Sequence, residues 1–381
     1  MASLMKYLIL LILVFPEIIS AQDKDLSYST NCSSSNNQVT ISFVGDILIH
    51  EALYKVVVNE TKHFSQIWKK VEGLFLKADF SLGNLEGAAA MGIDGSGKDH
   101  GDIGFVYDDF VYSGTHFSFN YHPRILTDLK NSGFDLITSA NNHAMDRTAT
   151  GIDKTIAAAR SAGLSTIGVH ESFNPDGLFY KIAFINNINV AFLGCTEMTN
   201  GNNDFKNQIL KCFNHPEKIL GIIRDLKNHS EIDAIIVFPH WGVEYSHTPE
   251  AIQKSFAHQY IEAGAIAVVG SHPHVIQPWE KYIATDGREG FIVYSLGNFV
   301  AGQAGLERKT GPVAYLGLSK KENEKARIFG VGYTPTYRTG AVLNPIGSGD
   351  AIEVLKHVAS MFGSKRRIEP NANLLESLCK H

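Results

Sequence analysis

Two histidines follow an apolar run that has the pattern of a buried strand. In IAVVGSHPHVIQP, residues 266–278, His272 and His274 are two positions apart with Pro273 between them. Side chains at i and i+2 of an extended chain point to the same side, and a proline biases the residue before it toward extended geometry. Imidazole is a frequent metal ligand. The spacing therefore predicts two adjacent imidazoles that face a metal ion at the end of a strand.

Other apolar runs in the sequence also end in side chains that bind metals. Asp46 ends ISFVGD, Glu86 ends DFSLGNLE, Asn142 follows FDLITSA, and His240 ends IIVFPH. The carboxyl ends of the strands in an α/β sheet form the crevice where ligands bind, so these residues are expected to converge. Oxygen and imidazole ligands without thiolate suit zinc, manganese or iron, as one ion or as two ions bridged by a carboxylate.

Each of these residues alone also has an ordinary structural explanation. The histidine pair suits an exposed loop, and Asp46 suits a turn or a helix N-cap. Glu86 suits a solvated surface position, Asn142 with its neighbour suits a helix cap, and His240 suits a core imidazole bonded to backbone. The recurrence of such residues at five strand ends favours one shared metal site.

The elements that position these residues follow from the apolar pattern. Helices are expected near residues 64–77, 123–132, 151–162, 215–228 and 249–263, and two late strands near 312–319 and 326–335. Alternation of apolar strands with helices predicts an α/β fold with buried sheets.

The chain is expected to hold one domain at residues 38–340. A flexible polar lead-in at residues 22–37 precedes it, and a C-terminal helix and tail at residues 341–381 follow it. Residues 88–121 form a Gly/Asp-rich insertion, and a loop of this length is expected to be functional or mobile.

The first 21 residues predict export. Lys6 precedes an apolar run, and small residues follow before Gln22, which is the pattern of a secretory signal peptide cut after Ala21. The apolar run is short for a membrane span, so a periplasmic or extracellular location is expected. Ile19 fits the cleavage site poorly, and an uncleaved membrane anchor is the alternative.

The cysteines and the net charge narrow the functional classes further. Four cysteines in an exported chain indicate disulfides, with Cys195–Cys212 and Cys32–Cys379 as the expected pairs and four free thiols as the alternative. The net charge of −5 argues against nucleic acid as a partner, because nucleic-acid binding usually requires a basic surface.

Six motifs come in the order and spacing of the CapA family, a bacterial capsule-synthesis group named for poly-γ-glutamate production. They are FVGDILIH, LGNLEG, GFDLITSANNHAMD, FPHWGVEY, GSHPHVIQPWE and FIVYSLGNF. The sequence resembles this family over about residues 38–320, and the family belongs to the calcineurin-like metallophosphoesterase superfamily. The resemblance implies a four-layer α/β/β/α sandwich of metallophosphoesterase type, with the site at the strand ends.

The resemblance also implies residue roles. The metal ligands would be Asp46, Glu86, Asn142, His240, His272 and His274, and His143 would be the acid beside the leaving group. Two positions depart from the superfamily pattern. Leu48 replaces a histidine, for which His50 is the nearest substitute, and Asn84 replaces an acid that is displaced to Glu86. These departures predict weak binding of a second metal.

Residues and resemblance together predict an exported metal-dependent hydrolase. Metal-bound hydroxide would attack a phosphoester or a related anionic substrate, with Asp46 and His143 as the catalytic residues; a peptide or amide substrate is an alternative. The expected substrate contacts are Asn84, His50, Glu244, Asn298 and Arg308. Arg308 with Lys309 is as well explained as a solvated surface pair.

Two non-catalytic functions are the alternatives. One is an accessory or binding subunit in extracellular polymer synthesis or export, associated with a membrane polymer-synthesis complex. The other is a carbohydrate- or peptide-binding domain built around the aromatic segment DFVYSGTHFSFNY. The expected ligand is a small molecule or an anionic polymer.

Overall fold

The computed structural model describes residues 26–32 and 37–380. The predicted signal peptide, residues 1–21, and the first residues of the lead-in lie outside the described part. Within that part, no helix is both long enough and apolar enough to cross a membrane.

Sixteen strands are present in the described chain. They are β1 (Gln38–Leu48), β2 (Phe80–Leu85), β3 (Ser113–Thr115), β4 (Ser118–Asn120), β5 (Leu136–Thr138), β6 (Ser165–Ile167), β7 (Tyr180–Ile185), β8 (Ile188–Thr196), β9 (Ala234–His240), β10 (Ala267–Val269), β11 (Ile276–Ile283), β12 (Glu289–Leu296), β13 (Asn298–Ala301), β14 (Thr310–Ser319), β15 (Arg327–Thr339) and β16 (Val342–Pro345).

The helices predicted near residues 123–132, 151–162, 215–228 and 249–263 are present, whereas the helices at residues 51–59 and 306–309 were not predicted. The helices of the described chain are α1 (Glu51–Asn59), α2 (Glu72–Leu76), α3 (Arg124–Asn131), α4 (Thr148–Ala162), α5 (Pro216–Asn228), α6 (Ala251–Ala263), α7 (Leu306–Lys309), α8 (Ile352–Phe362) and α9 (Leu374–Cys379). The helix predicted near residues 64–77 is instead two short 3₁₀ turns followed by α2.

The strands form two large sheets and a small hairpin. The larger sheet has the order β16-β15-β14-β1-β2-β5-β6, with β13 also paired to β1. The second sheet has the order β11-β12-β10-β9-β8-β7, and β3 pairs with β4. The neighbours β1, β2, β5 and β6 run parallel, as do β8, β9, β10 and β12. Each sheet therefore collects several strand carboxyl ends at one edge.

Three buried clusters divide the molecule into four layers. Successive strand residues face opposite sides of a sheet: Phe43 of β1 packs between the two sheets, whereas Val44 packs outward beneath α1 and α3. On the second sheet, Leu193 and Val237 pack outward beneath α5 and α6. This arrangement confirms the predicted four-layer α/β/β/α sandwich.

The stretch after residue 340 contributes to this core. Strand β16 pairs with β15, and α8 places Val354, Val358 and Phe362 in the cluster between the sheets. At the other end of the chain, Leu26 is buried in the same cluster. These contacts attach both ends of the described chain to the sandwich.

The insertion at residues 88–121 is folded around one buried amide. The Nδ2 atom of Asn120 donates to the carbonyl oxygens of Ala90, Ile93 and Val111 over 2.9, 3.1 and 2.9 Å. The Arg147 guanidinium also donates to the Ile93 carbonyl. The buried Asn120 amide group thus has its hydrogen-bond partners at three positions of the insertion, and these bonds connect those positions to one another.

Both predicted disulfides are formed. Cys195 pairs with Cys212, 17 residues later, and Cys32 pairs with Cys379, 347 residues later. The first closes a local loop after β8, and the second joins the lead-in to α9. The predicted pairing is confirmed.

We expect both disulfides to stabilise the fold. Replacing either pair by serines should lower the free energy of unfolding by about 2–4 kcal/mol, because the cross-link restricts the unfolded chain. Denaturant titration without reductant measures this change. A variant with all four cysteines replaced should be insensitive to reductant, and wild-type-like stability of that variant would contradict the expectation.

Candidate functional site

A close backbone approach fixes Asp46. A Cβ atom on Gly45 would lie 1.8 Å from the carbonyl oxygen of Gly297, so only glycine fits before the aspartate. The Asp46 amide then donates to that same oxygen over 3.0 Å. The register of β1 shifts at this point against both β2 and β13, and such irregularities re-aim side chains near functional sites. The Asp46 carboxylate is fully buried.

Strand β2 supplies the second acid and a supporting amide. The Glu86 amide donates to the Ile47 carbonyl over 3.1 Å, immediately after β2 ends. Two residues before Glu86, Asn84 of β2 donates from Nδ2 to Oδ1 of Asp46 over 2.8 Å. Asn141 in turn donates to Oδ1 of Asn84 over 3.0 Å. The side chain of Asn84 therefore orients Asp46.

The segment that carries the histidine pair is not extended, and this part of the sequence prediction is wrong. His272 has φ of 103° and His274 has φ of 59°, which is the left-handed region that L residues rarely adopt. The two rings nevertheless lie 6.0 Å apart. A tight turn after β10 brings them together, because its backbone is held by bonds such as that from the His272 amide to Oδ2 of Asp46, 3.3 Å. Backbone strain of this kind clusters at functional sites.

Two groups of side chains can each hold a cation, and they share one carboxylate. Glu86, His240 and His272 form one group, and Asp46, Glu86 and His274 form the other, with ligand atoms in each group within 4.8 Å of one another. The Oε1 atom of Glu86 lies 3.7 Å from Nε2 of both His240 and His274. The arrangement suits a carboxylate that bridges two positions.

The donor chemistry of the site fits a metal. Both carboxylate oxygens of Glu86 are buried and have no hydrogen-bond partner among the described residues. Around Nε2 of His240 lie Oδ1 of Asn142 at 2.9 Å and Nδ1 of His272 at 3.0 Å. These oxygen and nitrogen atoms all carry lone pairs and share few hydrogen atoms. Burying them together is costly unless a cation lies among them.

Burial and neighbouring charges shift the pKa values of these side chains. Burial raises the pKa of Glu86 well above its usual value, and Asp46 adds to the effect. Burial lowers the pKa of His240 far below its usual value and that of His272 to about 4, which keeps both imidazoles in the neutral form that binds metals. Burial opposes the positive charge of His274, but Glu86 and Asp46 outweigh it and raise its pKa to about 9.

His143 lies beside this centre with its ring fixed. Its Nδ1 atom lies 2.8 Å from Oδ2 of Asp146, and the same oxygen accepts the Phe119 amide over 2.7 Å. The Phe119 ring packs edge-on against the imidazole, with centroids 4.7 Å apart. A carboxylate beside Nδ1 fixes the orientation of the ring and decides which ring nitrogen faces the centre.

The predicted substrate contacts lie in different places. Asn298 is behind His274: its Oδ1 is 3.0 Å from the His274 Nδ1, and its amide group donates to three backbone or side-chain oxygens. His50 precedes α1, and its Nδ1 accepts the Gly302 amide; burial lowers its pKa to about 4. It belongs to neither ligand group. Asn84 contacts Asp46, as described above.

Glu244 and Arg308 lie at the rim of the site. The Glu244 side chain is exposed, and its charge acts on Glu86 and on both histidines of the pair. The Arg308 guanidinium lies 5.1 Å from the ring centre of Tyr245. That ring lies 6.1 Å from His274.

Sequence reasoning missed four residues that shape the site. Asn141, Asp146 and Ser271 orient Asn84, His143 and His240, respectively. Their position beside predicted ligands was a usable signal for all three. Tyr245 carried no such signal, because its contacts with His274 and Arg308 depend on distant parts of the chain.

The molecule is therefore an α/β/β/α sandwich with a buried carboxylate–histidine group at its strand ends that can hold a metal. The residues converge from the carboxyl ends of β1, β2, β9 and β10, where α/β sheets bind ligands.

The chain belongs to the bacterial capsule synthesis protein PGA_cap family, whose profile matches residues 40–303. It is 29% identical over 287 residues to the PGA biosynthesis protein CapA of Bacillus subtilis (strain 168), covering 75% of this chain and 69% of that protein. It is also 29% identical over 278 residues to the capsule biosynthesis protein CapA of Bacillus anthracis, covering 72% of this chain and 62% of that protein.

Similarity to solved structures is weaker. GAP50, the anchor in the inner membrane complex of Plasmodium, aligns with 85% of this chain and 95% of its own length at 12% identity and a TM-score of 0.34. PhoD aligns with 84% of this chain and 72% of its own length at 10% identity and a TM-score of 0.32. Scores this low support no argument about fold or function.

The centre predicts metal-linked stability that depends on Glu86. Adding Mn²⁺ or Zn²⁺ to the chelated protein should raise its stability, by about 2.7 kcal/mol at a metal concentration 100 times the Kd. Glu86→Gln should lose most of this rise, because the amide keeps the shape and removes the shared charge. Thermal unfolding with and without metal measures it.

The matched control is Glu244→Gln, which removes a nearby acid outside both ligand groups. This variant should keep most of the metal-linked rise. An equal rise in Glu86→Gln and wild type would show that Glu86 is not a ligand.

Proposed function

We propose that this chain is a metal-dependent hydrolase that acts on a phosphoester or a related anionic substrate in extracellular polymer synthesis. The observation that carries the proposal is the buried Glu86 carboxylate, which has no hydrogen-bond partner in the described chain and is common to two ligand groups. The residues that would hold one or two cations (Mn, Zn or Fe) are Asp46, Glu86, Asn142, His240, His272 and His274. A divalent cation there supplies Lewis acidity and activates water.

His143 is the proposed proton donor to the leaving group. Asp146 holds its Nδ1 side, so Nε2 on the opposite side of the ring is the nitrogen that delivers the proton. General acid catalysis of this kind contributes about 10²–10⁴ in rate. The Phe119 ring restricts motion of the imidazole.

The rim supports an anionic substrate. Arg308 is held over Tyr245, next to His274, and this places a positive charge beside the centre. A fixed cation stabilises negative charge that develops on a phosphoryl oxygen. The negative charge of exposed Glu244 on the same rim would weaken attraction of an anion from a distance. Arg308 is therefore proposed to stabilise the phosphoryl oxygen by direct contact, where its charge acts most strongly.

The biological setting is also a proposal. The relatives' names connect them with capsule and PGA biosynthesis, which supports a role in polymer production. We further propose that the chain associates with a membrane polymer-synthesis complex. Two disulfides are typical of chains in oxidising compartments, which supports a periplasmic or extracellular location.

Hydrolysis should require both metal and His143. We expect the purified protein to cleave p-nitrophenyl phosphate or bis-p-nitrophenyl phosphate, to lose this turnover with chelator, and to regain it with Mn²⁺ or Zn²⁺. His143→Ala should lower kcat by about 10²–10⁴ while metal-linked stabilisation persists. Steady-state kinetics and thermal unfolding on the same samples measure both effects.

The matched control is His170→Asn, which replaces a buried histidine outside the centre. Its turnover should stay close to wild type when the protein is folded. Metal binding without turnover of either probe would contradict the hydrolase proposal and favour the accessory role.

Export predicts a processed N-terminus. In a host that exports it, the mature protein should begin at Gln22, because the small residues before this position form the proposed cleavage site. N-terminal sequencing of the exported fraction checks this. A chain that retains Met1 in the membrane fraction would instead indicate an uncleaved anchor.

A further inference from the structure

A polar cavity of about 440 Å³ lies after the carboxyl end of β8, and none of the residues in the two ligand groups lines it. It is formed by the loop between Cys195 and Cys212 and by the start of α5. Side chains that line it include Glu197, Lys211 and Lys218. The disulfide that closes this loop joins its two ends and so restrains the cavity wall.

The cavity and the metal centre share one edge of the second sheet. Thr196 of β8 pairs with His240 of β9, and Thr196 also pairs with Lys211. Thr196 therefore lies between Lys211 and His240, and two interstrand spacings separate the backbones of these two residues by about 10 Å. The Glu197 amide donates to the His240 carbonyl, and the Glu197 carboxylate accepts the Gly242 amide, both over 2.9 Å.

The acidic and basic side chains that line the cavity differ in their hydrogen-bond partners, and the charge of Asp204 acts on Lys211. Asp204 accepts the backbone amides of Gln208 and Ile209 over 3.0 and 2.8 Å, and Glu197 is bonded as just described. By contrast, Nζ of half-buried Lys211 donates to the Thr199 hydroxyl over 3.1 Å. Nζ of Lys218 lies 4.5 Å from the centre of the Phe179 ring. Within the described residues neither ammonium group forms a salt bridge, so both remain available to an anion.

A second, larger cavity of about 550 Å³ differs in this respect. It lies at the amino ends of β9, β12 and β15, away from the metal centre. Lys227 and Arg288 there both pair with Asp286, and Lys325 donates to backbone carbonyls. Its cations are therefore already engaged by the protein itself.

We propose that the cavity beside β8 is a subsite that binds a carboxylate or phosphate group of an anionic polymer, next to the metal centre. This inference rests on the proposed function for the identity of the reacting group. A ligand that reaches both places must extend over about 10 Å, or three residues of an extended chain at about 3.3 Å each. The subsite therefore selects polymers over small phosphoesters.

Binding of labelled polyanions tests the subsite. Fluorescence polarisation would use the full chain with His143→Ala, to prevent turnover, and two probes: an oligoglutamate for carboxylates and a linear polyphosphate for phosphates. Adding Lys211→Gln and Lys218→Gln should weaken binding of the recognised probe about tenfold, the sum of two partly exposed charge contacts. The matched control, Lys206→Gln with Lys321→Gln, removes two exposed lysines outside the cavity and should change the affinity less than threefold.

The two probes identify the source of the anion, and the result does not depend on hydrolysis. Equal losses in the cavity variant and the control would overturn the subsite, and so would the absence of binding of either probe at low salt. If the cavity variant alone loses affinity for a probe in the His143→Ala background, and the chain with His143 intact shows no turnover, the subsite is supported and the hydrolase proposal is overturned.

Discussion

The structure depends on one buried carboxyl group, that of Glu86, at the centre of the site. Glu86 follows β2 into the space where the two sheets bring their strand ends together, and neither of its oxygens receives a hydrogen bond from the described chain. Leaving such a carboxylate uncompensated in the interior costs several kcal/mol. The imidazoles of His240 and His274 lie 3.7 Å from its Oε1 atom, and the Asp46 carboxylate lies in the same group of ligand atoms. The simplest compensation for this set of donors is a divalent cation.

The sandwich makes this concentration of polar groups tolerable. Strands from both sheets end at the same place, and glycines allow them to approach closely. A Cβ on Gly45 would contact the Gly297 carbonyl, and one on Gly270 would lie 2.0 Å from the Tyr294 carbonyl. These contacts fix the backbone immediately before Asp46 and before the turn that carries the histidine pair. The strand ends therefore fix the positions at which the loops that carry the site residues begin.

Many of the site residues could be predicted because each one stands directly after an apolar stretch of the sequence. Asp46, Glu86 and His240 each follow an apolar run, and a buried strand that ends in a metal ligand is visible in the sequence. The four layers and the disulfides could also be predicted. The left-handed turn at His272 and His274 could not be predicted, because its backbone is held by Asp46, 226 residues away in sequence.

The structure shows where the residues lie that depart from the pattern implied by the family resemblance. Leu48, which replaces a histidine, is buried in the outer apolar cluster, and His50 bonds to the Gly302 amide away from both ligand groups. Asn84 takes the place of an acid and orients Asp46. The displaced Glu86 is the residue common to both groups. One imidazole is therefore missing from the centre, while the bridging carboxylate is retained.

The presence of a metal at Glu86 can be tested by anomalous X-ray diffraction from crystals of the metal-loaded protein, recorded on both sides of the metal absorption edge. We expect one or two anomalous peaks within coordination distance of the Glu86 carboxylate, at about 2.0–2.2 Å for zinc. A well-ordered Glu86 with no anomalous peak beside it, hydrogen-bonded only to protein or water, would show that Glu86 binds no metal.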